Sequence, residues 1–305
     1  MSVETIDFQG DDGKAIHLCR WTPATAPKAA VQIAHGMGEH IGRYQPVAER
    51  LNEAGYVVYG NDHRGHGRTD PDRLGDLGAG GWEAVIADAR CLNERIDETH
   101  PGLPRILLGH SMGAMLAQQY VCRHGGTLDA LVLSGSPGFT GWFASILPRL
   151  IARIETWRLG WDGDSALMAN LLFGQANKAF DAEGASGFEW LSRDADEMRK
   201  YVDDPHCGAV LRAGSLSALF RGAREASSPA HIAGIPVSLP IHVISGTADP
   251  VHNEMKNRDR LFSRYQQAAL TVTRRLYEDG RHELFNETNR RQVLDDLVDW
   301  LDGVL

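Results

Sequence analysis

Short, nearly continuous apolar runs alternate along most of the chain with segments whose apolar residues recur every three or four positions. Runs of the first kind predict strands buried on both faces, and segments of the second kind predict the helices that cover them. The opening differs. Val3–Phe8 and Ala15–Trp21 alternate apolar and polar residues around Gly10-Asp11-Asp12-Gly13, which predicts a β-hairpin. Ala29–Ala34 then reads as a core strand, Tyr44, Val47 and Leu51 as one face of a helix stopped by Gly55, and Tyr56–Tyr59 as a second core strand. Trp82, Val85, Ile86, Ala89 and Ile96 share a stripe of a longer helix closed by His100-Pro101-Gly102. Ile106–Leu108 is a strand that runs at once into a helix bearing Met115, Leu116, Gln119 and Tyr120, and Ala130–Leu133 is another strand.

From about Gly138 to Ile235 the β periodicity is lost, and helical segments separated by Gly, Pro and Asp take over. The strand pattern resumes at Ile241–Ile244, and Ala269–Tyr277 is the last strand. Val293, Leu294, Leu297, Val298, Leu301 and Val304 then form one stripe of a closing helix. The expectation is an α/β protein with a mostly parallel central sheet, helices on both faces and an inserted helical cap. Residues 1–137 and 236–305 would form the core and 138–235 the cap. The insert holds Trp142, Trp157, Trp161 and Trp190 and six of the nine phenylalanines. Either these rings form the insert's own small core, or they line an apolar pocket over the sheet; both can hold for different rings. Trp142, Phe143, Trp157 and Phe173 are the candidate lining.

Composition narrows the class. The formal charge of −9 over 305 residues, without a basic tract, argues against nucleic acid as a partner. No apolar run is long enough for a membrane span, and the first residues have neither a basic segment nor an apolar one. Cys19, Cys91, Cys122 and Cys207 are scattered without a C-x-x-C pair, so reduced thiols are expected rather than a disulfide scaffold. A cytoplasmic protein follows as the expectation.

The chemistry centres on Gly109-His110-Ser111-Met112-Gly113, a G-x-S-x-G sequence between a strand and a helix. Glycines let the chain turn sharply there, so the Ser111 hydroxyl stands above the sheet with a helix N-terminus beneath it. A serine hydroxyl needs a base to take its proton, and that base needs a third group to orient it. Ser111, Asp249 and His282 follow the order serine, acid, histidine, each after a strand. Ser111 is therefore the candidate nucleophile, His282 the base and then the acid, and Asp249 the group that orients it. Glu278 and Asp279 are rival acids, disfavoured by their nearness in sequence to His282. Met112 N–H and Met37 N–H, the latter within Gly36-Met37-Gly38, are candidate oxyanion donors. His35, His63 and His66 lack a matching carboxylate or cysteine set, so neither a metal nor a cofactor is expected.

His35-Gly36-Met37-Gly38-Glu39-His40 with Arg43-Tyr44 resembles the H-G-x-G-E-H-x-x-R-Y signature of monoacylglycerol lipase-like α/β-hydrolases, many of them labelled lysophospholipases. Asp62 to Thr69 resembles their D-x-R-G-H-G-x-S motif, and Gly109 to Ala114 their G-H-S-M-G-G elbow. Ser192-Arg193-Asp194, Tyr201, Asp204-Pro205 and Cys207 are similar to a stretch near the cap's end, and Gly280 to Glu283 to the histidine loop. Residues 139 to about 189 match no such signature. The resemblance implies an α/β-hydrolase fold and a serine carboxylester hydrolase that cleaves single-chain acyl esters through an acyl-enzyme. The partner implied is a small-molecule ester with an apolar acyl chain, with transient membrane-surface contact through the cap left open. Alternatives are esters of another shape (aryl, lactone or phthalate-type), lysophospholipids, acyl transfer to an alcohol, a proline-type aminopeptidase anchored by Glu155, Asp162, Asp164, Glu183 or Glu189, and a non-catalytic ligand-binding protein. The residues do not specify the oligomeric state.

Overall fold

The computed structural model describes residues 2–139, 142–180, 182–252 and 256–305, with the side chains of residues 142–145 and 252 outside that description. Eight strands form one sheet: β1 (Ser2–Gln9), β2 (Ala15–Thr22), β3 (Ala29–Ala34), β4 (Tyr56–Asn61), β5 (Arg105–His110), β6 (Ala130–Ser134), β7 (Ile241–Gly246) and β8 (Val272–Tyr277). Their spatial order is β1-β2-β4-β3-β5-β6-β7-β8. The β1–β2 hairpin pairs antiparallel with itself and with β4, and every other pairing is parallel. The chain moves to one side of β3 for β4 and to the other for β5, so the crevice between β3 and β5 is a topological switch point, where such sheets bind ligands.

The helices are α1 (Gln45–Glu53), α2 (Gly81–Thr99), α3 (Met112–His124), α4 (Trp142–Leu159), the short α5 (Ala166–Ala169) and α6 (Gln175–Asn177), α7 (Ala195–Asp203), α8 (Ala213–Ala226), the short α9 (Pro229–Ile232), α10 (Lys256–Gln267) and α11 (Arg290–Val304). Alternation along β5 shows why both sheet faces are covered. Leu107 packs with α2, α3 and α8 through Ile86, Leu116 and Leu219, whereas Ile106 and Leu108 pack with α1 and α11 through Leu51, Val293 and Leu297. Between β6 and β7 the described residues form no strand, and α4 packs against α8, which packs against α3.

Two expected boundaries move. The last strand begins at Val272 rather than Ala269, because Ala269 adopts φ +58° and closes α10, with its N–H on Gln266 O and Leu270 N–H on Tyr265 O. A residue in the left-handed region ends a helix in this way, so Ala269 and Leu270 belong to the helix terminus, and Thr271 leads into the strand with its carbonyl accepting Ile241 N–H at 2.8 Å. Tyr44 lies in a 3-10 turn (Ile41–Tyr44) ahead of α1, because Pro46 sits in the first turn of that helix.

Register brings the site together. Ala34 pairs with Gly109, His110 with Ser134, Ser134 with Ile244 and Gly246 with Tyr277, so the carboxyl ends of β3, β5, β6, β7 and β8 form one rim. Close backbone contacts hold the loops there. A Cβ on Gly113 would stand 2.0 Å from Ala34 O, and one on Gly246 would stand 2.0 Å from Gly280 O. Gly246→Ala is expected to lower unfolding stability by about 1–3 kcal/mol, because the obstruction is backbone that cannot rotate away. Gly303→Ala in α11, with nothing within 4 Å of its Cβ, is expected to raise it by at most about 1 kcal/mol. Urea midpoints for the two variants test this; equal midpoints would contradict it.

Candidate active site

Ser111 occupies the turn between β5 and α3 with φ +52° and ψ −113°, a conformation that costs a non-glycine residue about 1–3 kcal/mol. Three backbone bonds hold it there. Ser111 N–H donates to Ser134 O at 3.0 Å, and Ser111 O accepts from Ala114 N–H and Met115 N–H at 3.0 and 3.1 Å. Gly109 and Gly113 are required on either side: a Cβ on Gly109 would meet Gly113 O at 2.4 Å.

Ser111 Oγ lies 2.8 Å from His282 Nε2, and His282 Nδ1 lies 2.8 Å from Asp249 Oδ2. The other Asp249 oxygen accepts Val251 N–H at 2.9 Å, which fixes the carboxylate on its turn. With Nδ1–H given to Asp249, Nε2 is the acceptor for the serine proton. Both His282 and Asp249 are buried, whereas the rivals Glu278 and Asp279 are exposed. Burial pulls the His282 pKa down, but the Asp249 charge and hydrogen bond, with Glu283 and Glu39 behind them, outweigh it and hold it above 6.5. His110, ring to ring with His282 at 4.9 Å, is driven down to about 4 by burial and by the His282 charge, so it stays neutral beside it.

Met37 and Met112 both border the cavity at Ser111, and neither N–H makes a hydrogen bond to the described residues. The Met37 loop is set by Glu39, a residue the motif contained but whose work was not legible. Buried Glu39 accepts Gly36 N–H at 2.6 Å and Tyr44 O–H at 2.9 Å. Arg43 bridges Glu39 (2.8 Å) to Glu283 through a two-pronged pair (2.7 and 2.6 Å). Glu283 follows His282 in the chain, so one guanidinium ties the loop after β3 to the histidine loop. Burial would raise the Glu283 carboxyl, and the charge and hydrogen bonds of Arg43 hold it below the usual range.

His35, His63 and His66 are buried together, with the His35 ring tilted against His63 at 4.1 Å and edge-on to His66 at 5.2 Å between centroids. His35 spends both nitrogens on backbone: Nδ1–H donates to Gly36 O at 2.8 Å and Nε2 accepts His63 N–H at 3.0 Å. Burial pushes it well below the ordinary range, so it is a neutral strut under the loop.

A cavity of about 600 Å³ opens at Ser111 and His282. Phe173 lines it, with Met115, Phe139, Leu171, Leu172, Trp190, Leu219 and Phe220. Trp157 does not. It is 87% exposed and absent from the lining, because the face of α4 that carries it points away from α8. The side chains of Trp142 and Phe143 lie outside the described residues. Trp190, seen in the sequence only as one ring among many, packs on His282 at 4.9 Å between ring centroids, and its carbonyl accepts His282 N–H at 3.3 Å. Phe173 and Trp190 belong both to the cavity wall and to a small cap cluster with Phe180 and Phe188, so each of the two readings of the rings applies to some of them.

A family model described as "Serine aminopeptidase, S33" (Hydrolase_4) matches residues 25–289. The chain belongs to this family. Within it, the hydrolase is 35% identical over 301 residues to a monoacylglycerol lipase of Mycolicibacterium smegmatis, covering 96% of this chain and 95% of that one. A monoglyceride lipase homolog of Monkeypox virus is 30% identical over 296 residues, covering 95% of each. A thermostable carboxyl esterase from Bacillus coagulans, solved with glycerol, superposes with a TM-score of 0.90 at 28% identity, covering 100% of this chain and 99% of that one. The hydrolase is thus a monoacylglycerol lipase-like serine ester hydrolase with the α/β-hydrolase fold.

The raised His282 pKa has a testable sign. As the candidate base, His282 can take a proton only when neutral, so kcat/KM is expected to rise with pH along a limb whose midpoint lies above 6.5. Asp249→Asn removes the charge that raises the pKa and leaves the burial that lowers it. The limb is then expected to fall below 6.5, while kcat drops on the order of 10³–10⁴ through loss of the tautomer. A pH–rate profile on a soluble ester checks both; an unmoved midpoint would contradict the assignment.

Proposed function

We propose that the hydrolase cleaves esters carrying one acyl chain, with monoacylglycerols as the leading substrate class, through an acyl-enzyme on Ser111. Ser111 Oγ attacks the ester carbonyl carbon as His282 Nε2 takes its proton. Asp249 steadies the imidazolium, and Met37 N–H and Met112 N–H receive the oxyanion. Collapse breaks the bond to the alcohol oxygen, which leaves with the proton from Nε2. Water, deprotonated by the same nitrogen, then releases the fatty acid. The observation that carries this reading is the Ser111–His282–Asp249 relay, with spacings of 2.8 and 2.8 Å, opening onto a largely apolar cavity of about 600 Å³. That volume lies within the ~300–1,000 Å³ of small-molecule sites and suits a flexible acyl chain.

Residues 138–235 act in this reading as a cap over the rim. Its acidic side chains favour an ester over an aminoacyl substrate. Glu155 is engaged by Arg158 and Ser165, Glu189 by Ser186, Gly187 and Asn177, and neither lines the cavity. The lining acids Glu39 and Glu283 are both satisfied by Arg43. An incoming ammonium group finds no spare carboxylate among the described lining residues.

Hydrolysis of monoacylglycerols and p-nitrophenyl esters graded by acyl length is therefore expected to exceed cleavage of an aminoacyl anilide. Ser111→Ala is expected to lower kcat by at least about 10⁴ and to abolish the mass adduct of a fluorophosphonate probe. Preference for the anilide, or an adduct that survives in Ser111→Ala, would overturn the reading.

The cap also supports transient contact with a membrane surface. On α4, Leu147 (62% exposed), Leu150 (50%), Ile154 (49%) and Trp157 (87%) recur on one helical face, with Arg149, Arg153 and Arg158 beside them. A helix with an apolar face and basic flanks lies in the headgroup region, where its substrates reside. No described helix is long and apolar enough to cross a membrane. The unpaired cysteines are in keeping with a reducing, cytoplasmic location. In sedimentation with phosphatidylcholine vesicles, the Leu147→Ser, Trp157→Ser double variant is expected to bind about a hundredfold more weakly or worse, at roughly 1.5–3 kcal/mol for each large apolar side chain buried. Unchanged binding would remove α4 as the contact.

A further inference from the structure

Away from the Ser111 relay, three side chains of different metal-ligating type meet on two facing loops. His40 follows the loop that carries Met37, and Asp204 and Cys207 lie on the loop after α7. His40 Nε2 stands 2.9 Å from Asp204 Oδ2, and one ring nitrogen of His40, one carboxylate oxygen of Asp204 and Cys207 Sγ all lie within 4.8 Å of one another. It is the only such group of His, Cys, Asp and Glu among the described residues.

Backbone hydrogen bonds build the cluster. Asp204 Oδ1 accepts His206 N–H at 2.8 Å and Asp204 O accepts Cys207 N–H at 3.0 Å, which folds residue 207 back over the carboxylate. Gly208, at φ +83°, sends its N–H to Gly38 O at 2.8 Å and so locks the two loops against each other. One further observation points to a cation. His206 Nδ1 is buried without a hydrogen-bond partner, and its ring centroid is 6.1 Å from that of His40.

The geometry points to a site for a borderline-soft divalent cation of the Zn²⁺ class, ligated by His40 Nε2, the Asp204 carboxylate and Cys207 Sγ. The fourth position is open to water or, by ring rotation, to His206. An imidazole, a carboxylate and a thiolate select Zn²⁺ over Mg²⁺ or Ca²⁺, which prefer oxygen alone. Donors around tetrahedral zinc lie about 3.5 Å apart. Side-chain rotation must therefore part Nε2 from Oδ2 and draw Sγ inward. On binding, Sγ–H releases its proton to solvent as the sulfur–metal bond forms. The His40 proton moves from Nε2 to Nδ1, giving up the long 3.2 Å contact from Gly42 N–H. No electron is transferred. The bound ion would fasten the cap's end to the loop that carries Met37.

The test uses the metal-free full-length protein, titrated with Zn²⁺ by calorimetry and with Co²⁺ by absorption. One equivalent is expected to bind, with a sulfur-to-cobalt charge-transfer band. Cys207→Ser is expected to lose the band and weaken Zn²⁺ at least tenfold, although Cys19, Cys91 and Cys122 remain. His40→Gln is expected to weaken Zn²⁺ at least tenfold and keep the band. Metal-free ester hydrolysis and circular dichroism of Cys207→Ser report that its fold is intact, independently of the metal readout. Absence of saturable binding, or wild-type affinity and band in Cys207→Ser, would overturn the proposal.

Discussion

A single strained residue sets the terms for the rest of the molecule. Ser111 can stand above the sheet only with φ near +52°, and that conformation is unfavourable for any residue with a Cβ. The surroundings over-determine it: a sheet bond from its N–H to Ser134 O, two helix bonds onto its carbonyl, and glycines where neighbouring backbone passes too close for a side chain. Because Gly113 presses on Ala34 and Gly246 on Gly280, the strain is met by contacts that also fix where the loops after β3 and β8 emerge. The geometry around the serine and the packing of the sheet's carboxyl edge are one constraint.

Charge completes what the backbone begins. Arg43 sits between two buried carboxylates, one holding the loop with Met37 and the other adjoining His282. Burying these ions costs several kcal/mol each, which the pairing and hydrogen bonds offset only when all three are present. Such a unit contributes more to position than to stability. Backbone bonds from His282 N–H to Trp190 O and from Glu283 N–H to Leu191 O join the same loop to the end of the cap. The histidine is thus held from below by the sheet, from the side by Arg43 and from above by the cap.

The cap divides its aromatic residues by position. Phe180 and Phe188 make a local cluster, Phe173 and Trp190 serve both cluster and cavity, and Trp157 faces outward. The family model is described as serine aminopeptidase and the relatives above are named monoacylglycerol lipases, so the chemistry of the cavity wall bears on the choice between the two kinds of substrate. Here that wall is largely apolar, and its two carboxylates are already paired.

Residue order and periodicity were enough to locate the strands, the helical insert and the serine turn. Period-two and period-3.6 patterns reflect which side chains face a core, and a strand–glycine–serine–glycine–helix sequence has few other conformations open to it. The order Ser111, Asp249, His282 was legible for the same reason, since each follows a strand in a parallel sheet. Local pattern could not show the bonds that cross long stretches of chain: Arg43 to Glu283, Trp190 onto His282, or His40 to Asp204. It misjudged Trp157, because an aromatic residue in a helical insert has the same sequence signature whether it faces a cavity or solvent. The choice of face depends on how α4 lies on α8, and that is settled only when the whole chain packs.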